Sequence, residues 1–509
     1  MKKLILISLA VLFFGCTGVA QSNPQQTSDF VAAYDAYIKK TLERLPDIPA
    51  FAVVVIKDDK PIFVRAYGMA DKEAGVKADA DTLFYIASST KSFTAMSAAL
   101  LDKEGKIKLD DPISKYSTGI TFKNALPADK ITVRDLLTHT SGLRNEPLVF
   151  RMAFSGESDP ADMRKVFGDA TTFVDARYGK YNYDNMGYNI YGVLLENHLK
   201  MKWQDLLQEK IFDPVGMKHT TAYISRARAK KWKVVAPYIF DAVSGKTIRG
   251  PLAKTDSNMQ SAGGIFASVS DIGRWLNMNM NDGKLNGKQV IPADIVKAVH
   301  TGYTPVTRSN EPFTGEGQYG LGWQIGKYRN ETVIYHHGGF PGYGSHISYL
   351  PEKKIAIAVL VTGDIAAAKS GHIVATYGYD WWLQTPDFQQ AYEKQLDDTV
   401  TNYAKWKQAA QASASERAKR TSQLTRPLAD YAGTYRNETL GTIEITAVGN
   451  DLAVRMGSIN TVATPFIEKE TIRVEMIPGQ GEVIKFVPNT EGKFASIMYG
   501  RIPFERVAR

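Results

Sequence analysis

Residues 86–93 read IASSTKSF and contain the only S-x-x-K motif of the chain. A helix that begins near Ser88 places Ser88 and Lys91 on one face, because residues three apart are neighbours on a helix. Serine is a weak nucleophile that needs an adjacent base, and a partly buried lysine can lose its proton and become that base. The motif therefore predicts a serine nucleophile, although an isolated S-x-x-K is more often a helix cap beside a solvated lysine.

A second motif, Y-x-N, occurs at Tyr183 and Asn185, in a polar loop before the apolar helical stretch 190–195. The same pattern recurs at 328–330 and 435–437, so only its placement distinguishes it. A tyrosine beside a lysine ammonium can have a lowered pKa and can transfer protons. Tyr183 is therefore expected beside Lys91, and either side chain could be the general base.

A third motif is glycine-rich: residues 335–343 read YHHGGFPGY and precede a pair of strands. Glycines let a substrate lie close along a strand edge, and the N–H groups of Gly339 and Ser88 could together form an oxyanion hole. The alternative is an ordinary glycine-rich hairpin. The neighbours His336 and His337 could also bind a metal, but no third ligand lies at a suitable spacing and H-E-x-x-H is absent, so no metal is expected.

Composition excludes several classes of protein. The chain has 509 residues, of which 44% are apolar and 23% charged, so collagen-like, coiled-coil and wholly disordered structures are excluded. Its single cysteine, Cys16, rules out an intrachain disulfide and any cysteine-based zinc or iron–sulfur site. The formal charge of +9 is small for this length, and a nucleic-acid partner is not expected.

Residues 1–20 have the pattern of a secretory signal: two lysines, an apolar run over 4–14 and small residues after it. The run is too short to span a bilayer. Cleavage after Ala20 would release a soluble protein, whereas cleavage at the lipobox-like residues 13–16 would leave Cys16 lipid-anchored. Either way we expect export to the periplasm or cell envelope, with membrane association only through a lipid anchor.

Four segments are expected: a signal peptide (1–20), a catalytic domain (21–388), a helical linker (389–425) and a C-terminal domain (426–509). The catalytic domain has β-rich ends with helices between them, which predicts an α+β fold whose outer strands come from opposite ends. The C-terminal segment alternates in short apolar runs and predicts a small closed barrel of about eight strands. This barrel could roof the active site or simply stabilise the protein.

Taken together, the motifs resemble the serine β-lactamase and penicillin-binding-protein superfamily. The resemblance is closest to its class C-like branch, which includes D-Ala-D-Ala carboxypeptidases of the D-aminopeptidase type and related esterases. The matching stretches follow the family's order over about residues 30–380. They are residues 88–91, 131–143, 183–188, 211–220, 261–266, 319–323 and 336–343.

The resemblance implies a β-lactamase/transpeptidase-like fold, with a helical subdomain beside an antiparallel sheet flanked by helices, followed here by a lipocalin-like barrel. It implies a covalent acyl-enzyme at Ser88, with Lys91 and Tyr183 handling protons and Asn185 contacting the substrate. It implies no cofactor. His139, within the stretch 131–143, is expected to belong to a structural turn rather than to act as a base.

One motif departs from the family pattern, because His336-x-Gly338 stands where the family has K-[TS]-G. A true K-S-G occurs at 369–371, but it follows the strand at 355–361 and begins the final helix, so we favour His336. A lysine would hold a substrate carboxylate, whereas a histidine of ordinary pKa is mostly neutral at pH 7. This favours substrates without a free carboxylate at that place.

The sequence therefore predicts an exported serine hydrolase that cleaves an ester or amide bond, including bonds in D-amino-acid peptides. A β-lactamase or a penicillin-binding D-Ala-D-Ala carboxypeptidase is the alternative enzyme. A non-catalytic envelope sensor or binding protein is the alternative from another class, and the intact set of Ser88, Lys91 and Tyr183 argues against it. The expected partner is a small-molecule or peptide substrate, and the sequence does not specify an oligomeric state.

Overall fold

The computed structural model describes residues 23–306 and 312–507. The signal peptide expected at 1–20, with Cys16, lies outside the described residues. Within the described ranges, no helix combines the length and the apolar character that crossing a membrane requires.

Nine antiparallel strands form the central sheet, in the order β4-β5-β6-β7-β8-β9-β1-β2-β3. They are β1 (Ala50–Lys57), β2 (Lys60–Asp71), β3 (Val76–Lys77), β4 (Thr304–Val306), β5 (Thr314–Tyr319), β6 (Gln324–Tyr328), β7 (Glu331–Phe340), β8 (Tyr343–Leu350) and β9 (Ile355–Thr362). The outer strands, β3 and β4, come from opposite strand-rich ends of the domain, as the sequence suggested. The two ends also pair in the middle of the sheet, where β1 lies beside β9. Both strands are continuous apolar runs buried on both faces, which only a central position provides.

Each face of the sheet packs against its own hydrophobic core. On the front face, Val54 belongs to a core shared with the helical subdomain, whereas Val53 and Val55 belong to a separate core on the back. This alternation follows from the two-residue repeat of a strand. The major helices are α1 (Pro24–Arg44), α2 (Thr90–Lys103), α3 (Met186–Leu199), α4 (Val269–Met280), α5 (Ile365–Leu383) and α6 (Phe388–Ala418).

The helical subdomain on the front face consists of α2, α3, α4 and several short elements. The short helices are Val133–Leu137, Glu146–Phe150, Pro160–Ala170, Trp203–Leu207, Asp213–Val215, Ile224–Ala229 and Ala293–Val299. A small sheet of Leu83–Tyr85, Phe266–Ser268 and Thr220–Thr221 leads into α2 and so sets where that helix begins.

The C-terminal domain is a nearly closed barrel of nine strands, where the sequence suggested about eight. The strands are β10 (Gly433–Asn437), β11 (Gly441–Val448), β12 (Asp451–Met456), β13 (Ile459–Val462), β14 (Thr464–Pro465), β15 (Thr471–Ile477), β16 (Gln480–Pro488), β17 (Phe494–Tyr499) and β18 (Ile502–Arg506). The additional strand is the two-residue β14, which is too short to be recognised as an alternating run. The helical linker expected at 389–425 coincides in large part with α6, which packs against α5 on the back face.

A buried carboxylate fastens these back-face helices to the sheet. The Asp380 side chain on α5 is fully buried and accepts two hydrogen bonds from the Arg329 guanidinium, at 3.0 and 2.8 Å. It also accepts bonds from the hydroxyls of Thr385, at 2.7 Å, and Tyr392 on α6, at 2.9 Å. These donors hold the pKa of Asp380 below its ordinary value.

Replacing Asp380 with Ala should lower the free energy of unfolding by about 2–4 kcal/mol, because the buried partners of the carboxylate lose their acceptor. Urea denaturation of the two proteins measures the loss. The matched control is Asp294→Ala, which removes an exposed ion pair with Lys103 and should change the stability little, because solvent screens such pairs. Since a carboxylate with a lowered pKa contributes its stability above its ordinary pKa, the Asp380 effect should shrink as the pH falls below about 4. Equal losses in the two variants would contradict this role.

Candidate active site

Ser88 lies in a single turn of 3-10 helix, Ala87–Ser89, directly before α2. Ala87 has φ of 45°, a left-handed conformation that is strained for a residue with a β-carbon. Strand β8 holds this turn in place: the Ser345 hydroxyl donates to the Ile86 carbonyl at 2.7 Å and accepts from the Ser89 hydroxyl at 2.8 Å. Strand β8 therefore holds the strained turn in place. The turn presents Ser88 towards the cleft, which is the space bordered by Gly339 and Tyr183.

Strand β7 approaches the same turn so closely that only glycine fits. A β-carbon on Gly338 would overlap the carbonyl oxygen of Ile86, whereas one on Gly339 would have no atom within 4 Å. Gly338 therefore sets the distance between β7 and the Ser88 turn, and Gly339 borders open space. This agrees with the placement that the glycine-rich motif suggested.

Lys91 is fully buried one helical turn after Ser88. Its Nζ lies 3.1 Å from Ser88 Oγ, 2.7 Å from Asn185 Oδ1 and 3.0 Å from the carbonyl oxygen of Ala262. Burial lowers the pKa of Lys91 to about 7, and the nearby Asp184 acts weakly in the opposite direction. Near neutral pH a large fraction of Lys91 is therefore uncharged and able to accept a proton from Ser88.

Tyr183 is hydrogen-bonded to Ser88, and its ring lies over Lys91, with Nζ 4.9 Å from the ring centroid. The residue is 42% exposed, so its ring lines the cleft. Burial around the hydroxyl raises the pKa of Tyr183, and the bond with Ser88 only partly opposes the rise. The lowered pKa expected from the sequence is therefore wrong in sign: a lysine that is itself desolvated carries too little charge to stabilise a phenolate.

The loop that carries Tyr183 is positioned by groups that sequence motifs did not identify. The Asp184 carboxylate accepts from the backbone N–H of Gly187 at 2.9 Å, and the Asp184 N–H donates to His139 Nδ1 at 3.3 Å. The pKa of Asp184 is raised by burial. Asn185 precedes α3 and is oriented by its bond to Lys91.

His139 has φ of 62° in a turn, and its buried ring packs behind the Tyr183 ring. It packs 4.6 Å from the Tyr183 ring and 4.7 Å from the Tyr319 ring, centroid to centroid. Burial lowers the pKa of His139 well below its ordinary value, so the ring is neutral and positions Tyr183. The sequence feature that could have indicated a positioning role for His139 is the group of tyrosines within 181–188, together with Tyr319.

His336 lies on β7 beside Tyr183, and its ring is buried. Nδ1 lies 2.8 Å from the His337 carbonyl oxygen, which can only accept, so Nδ1 carries the proton. Nε2 is then the acceptor for the Tyr319 hydroxyl at 3.4 Å. Burial lowers the pKa of His336 to about 3, so the side chain at the position of the family lysine is uncharged at neutral pH.

Two further features that the sequence analysis considered, the K-S-G triplet and His337, lie on the back face of the sheet. Residues 369–371, the K-S-G triplet, are in α5, where the Ser370 hydroxyl donates to the Ala366 carbonyl at 2.7 Å. His337 points away from His336, so these two neighbours cannot share a metal ion. His337 instead lies beside His346 and His372, which corrects the expectation that no set of metal ligands would form.

The barrel is attached next to the end of β7. The Phe340 ring stacks on Phe154 at 5.3 Å, and both rings pack against the barrel core. From the barrel, Ser458 donates its N–H to the Ser155 carbonyl at 2.7 Å and its hydroxyl to the Phe154 carbonyl at 3.1 Å. The barrel is therefore anchored one residue away from Gly339 at the rim of the cleft.

Comparison with known proteins identifies relatives over most of the chain. A family model described as Beta-lactamase matches residues 38–375. The unguisins hydrolase ungD' of Aspergillus campestris is 24% identical over 381 residues, which cover 72% of this chain and 69% of the relative. Protein flp of Staphylococcus aureus is 24% identical over 341 residues, covering 66% of this chain and 63% of the relative.

A solved structure shares the fold. The octameric penicillin-binding protein homologue from Pyrococcus abyssi superimposes with a TM-score of 0.61 at 22% identity, covering 93% of this chain and 99% of that chain. The predicted β-lactamase/transpeptidase-like fold is therefore confirmed.

The fit of β7 against the Ser88 turn makes a prediction about two adjacent glycines. Gly338→Ala should lower the free energy of unfolding by about 1–3 kcal/mol, because its methyl group forces β7 away from Ile86. Gly339→Ala, which meets open space, should leave it within about 0.5 kcal/mol of the parent protein. Thermal or urea unfolding measures both, and similar losses in the two variants would contradict the proposed contact.

Proposed function

Because this chain belongs to the beta-lactamase family, we propose that it is an exported serine hydrolase that cleaves an ester or amide bond through an acyl-enzyme at Ser88. The observation that carries the proposal is the contact between Lys91 Nζ and Ser88 Oγ, at 3.1 Å, in a buried site where the pKa of the lysine is about 7. A nucleophile with a base in reach is the arrangement that acyl transfer requires.

Lys91 acts as the base in this mechanism and Tyr183 as the proton relay. Neutral Lys91 accepts the Ser88 proton while Oγ attacks the carbonyl carbon, and the N–H groups of Ser88 and Gly339 stabilise the oxyanion. Tyr183, which keeps its own proton because its pKa is raised, passes a proton from Lys91 to the leaving alcohol or amine. The acyl-enzyme forms as that bond breaks.

Deacylation repeats the steps with water. Water gives its proton to the neutral Lys91–Tyr183 pair as its oxygen attacks the acyl carbon, and Ser88 Oγ takes the proton back as it leaves. Asn185 holds Lys91 in place through both stages, because its Oδ1 accepts from Nζ at 2.7 Å.

The substrates that fit this site are small and carry no carboxylate beside β7. His336 uses Nδ1–H on a backbone carbonyl, so it offers no cation to a substrate. The exposed ring of Tyr183 gives the cleft an apolar wall, and the barrel anchored beside Phe340 limits its length. These features support short esters, amides and D-amino-acid peptides whose carboxylate is absent or blocked, and a relative named as a hydrolase supports the reaction class.

Export is part of the proposal and is supported by the sequence of residues 1–20. The same segment supports a location in the periplasm or cell envelope. Cys16 provides the lipid anchor if the lipobox-like site is cleaved.

Replacing Ser88 with Ala should reduce hydrolysis of a short-chain aryl ester by at least about 10³-fold, because the nucleophile is removed. The matched control is Ser92→Ala, since the Ser92 hydroxyl only donates to the Ser89 carbonyl inside α2. That variant should keep most of the activity. Retained activity in the Ser88 variant would contradict the assignment of the nucleophile.

The parent protein and its Ser88→Ala variant also distinguish the proposed hydrolase from a β-lactamase or a penicillin-binding carboxypeptidase. Intact-mass measurement after incubation with a labelled penicillin should show little adduct at Ser88, since the uncharged His336 on β7 does not hold the carboxylate of the drug as a lysine would. Rapid labelling together with release of D-Ala from a D-Ala-D-Ala peptide would instead establish a penicillin-binding carboxypeptidase.

The pH profile should report the pKa of Lys91. Because only the neutral amine can accept the Ser88 proton, kcat/KM should rise with pH through an apparent pKa near 7 and fall about tenfold per pH unit below it. Asn185→Asp places a carboxylate beside Nζ, which should raise the pKa of Lys91 and move the rise to higher pH. A profile that does not move would contradict the assignment of Lys91 as the base.

A further inference from the structure

Three of the eight histidines of the chain converge on the back face of the sheet, away from Ser88. His337 on β7 is directly paired with His346 on β8, and His372 on α5 packs over both. The ring centroids are 4.8 Å apart for the strand pair, and His372 lies 4.3 Å from His337 and 5.2 Å from His346. One nitrogen from each ring falls within 4.8 Å of the other two.

Among the residues that the structure describes, neither of the two buried nitrogens of the His337 ring has a hydrogen-bond partner. An unpartnered buried polar group costs about 1–3 kcal/mol, and native structures rarely retain one without a reason. Phe313 and Tyr335 pack against the same ring and offer it only aromatic surface in these contacts. A ligand bound between the three rings would give one of the two His337 nitrogens a partner.

His346 is oriented in the way that metal-binding histidines usually are. Its Nε2 lies 2.6 Å from the Ser348 hydroxyl, which in turn lies 2.7 Å from the Tyr379 hydroxyl. If Nε2–H donates into this chain, the lone pair of Nδ1 faces the cluster, where it lies 2.9 Å from Nδ1 of His372. An outer hydrogen bond that fixes the tautomer of a ligating histidine is the usual second layer of a metal site.

We propose that His337, His346 and His372 bind one divalent transition-metal ion of the zinc class, with water as a further ligand. Neutral imidazoles suit Zn²⁺ and its transition-metal neighbours, and the absence of a carboxylate from this set disfavours Ca²⁺ and Mg²⁺. Zn–N bonds of about 2.0–2.1 Å require nitrogens about 3.3 Å apart in a tetrahedral site. The observed separations are 2.9 Å for one pair and no more than 4.8 Å for the others, so small ring rotations bring the three nitrogens to that spacing.

The ion joins three elements immediately behind the cleft. It links β7 to β8 and both strands to α5. Its ligand on β7, His337, follows His336 and lies two residues before Gly339. Its role is therefore to stiffen the strand that borders the Ser88 turn. It takes no part in the chemistry at Ser88, because the sheet separates the two.

Metal binding to the untagged protein tests the proposal. After removal of metal with a chelator, equilibrium dialysis against Zn²⁺ should restore one ion per chain and raise the melting temperature, since an ion that binds only the folded state stabilises it. Co²⁺ in the same site should give the strong visible absorption of a four-coordinate ion, and Zn²⁺ should displace it. The expected result for His372→Gln is loss of at least tenfold in affinity.

Two control variants locate the ion. His336→Gln removes the adjacent histidine on the opposite face, and His198→Gln removes an exposed histidine far from the cluster. Both should bind Zn²⁺ as the parent protein does. Unchanged affinity in His372→Gln, or loss in His336→Gln, would overturn the assignment.

X-ray absorption of the zinc-loaded parent protein gives a measurement that does not depend on how the variants fold. Three imidazole ligands are expected around the ion. One imidazole or none, or the failure of the parent protein to retain zinc in dialysis, would overturn the proposal.

Discussion

The burial of Lys91 is the constraint on which the rest of the site depends. A charged ammonium without solvent is costly, so the side chain must either lose its proton or find acceptors. One acceptor, Ser88, lies on the adjacent turn, and two come from distant parts of the chain: Asn185 before α3 and the carbonyl of Ala262. The helical subdomain must therefore close around this one nitrogen before the site exists, and the same burial that costs stability brings the pKa to about 7.

The second requirement is close contact between the sheet and the Ser88 turn, and small residues meet it. Gly338 lets β7 approach Ile86, and Gly322 lets the chain between β5 and β6 approach the backbone of Lys91. The Ser345 hydroxyl then joins β8 to the same turn. The two glycine contacts are between backbones, so they fix the position of Ser88 relative to the sheet, and the buried Ser345 hydroxyl adds one side-chain hydrogen bond.

Local motifs were sufficient to predict that Ser88 and Lys91 lie side by side, because the two residues interact over one helical turn. The role of Ser88 as the nucleophile stays a prediction. The fold class and the barrel followed from periodicity and from the resemblance. The sequence could not supply the environment of the site. The pKa of Tyr183 was predicted with the wrong sign because its desolvation depends on packing by His139 and His336. The three-histidine cluster was missed for a similar reason, since the pairing of β7 with β8 and the docking of α5 bring together residues that no spacing rule connects.

The position of β1 beside β9 also governs the order in which the domain can fold. Ala50 pairs with Thr362, so the central ladder of the sheet joins segments about 300 residues apart. Until the later segment is present, β1 has only the β2 hairpin on one side, and its other edge exposes apolar side chains and free backbone groups. Such a topology folds slowly compared with one built from local contacts. A newly made chain therefore cannot complete its central sheet until the strand at 355–362 has been made, and the exposed edge of β1 needs protection from aggregation during that interval.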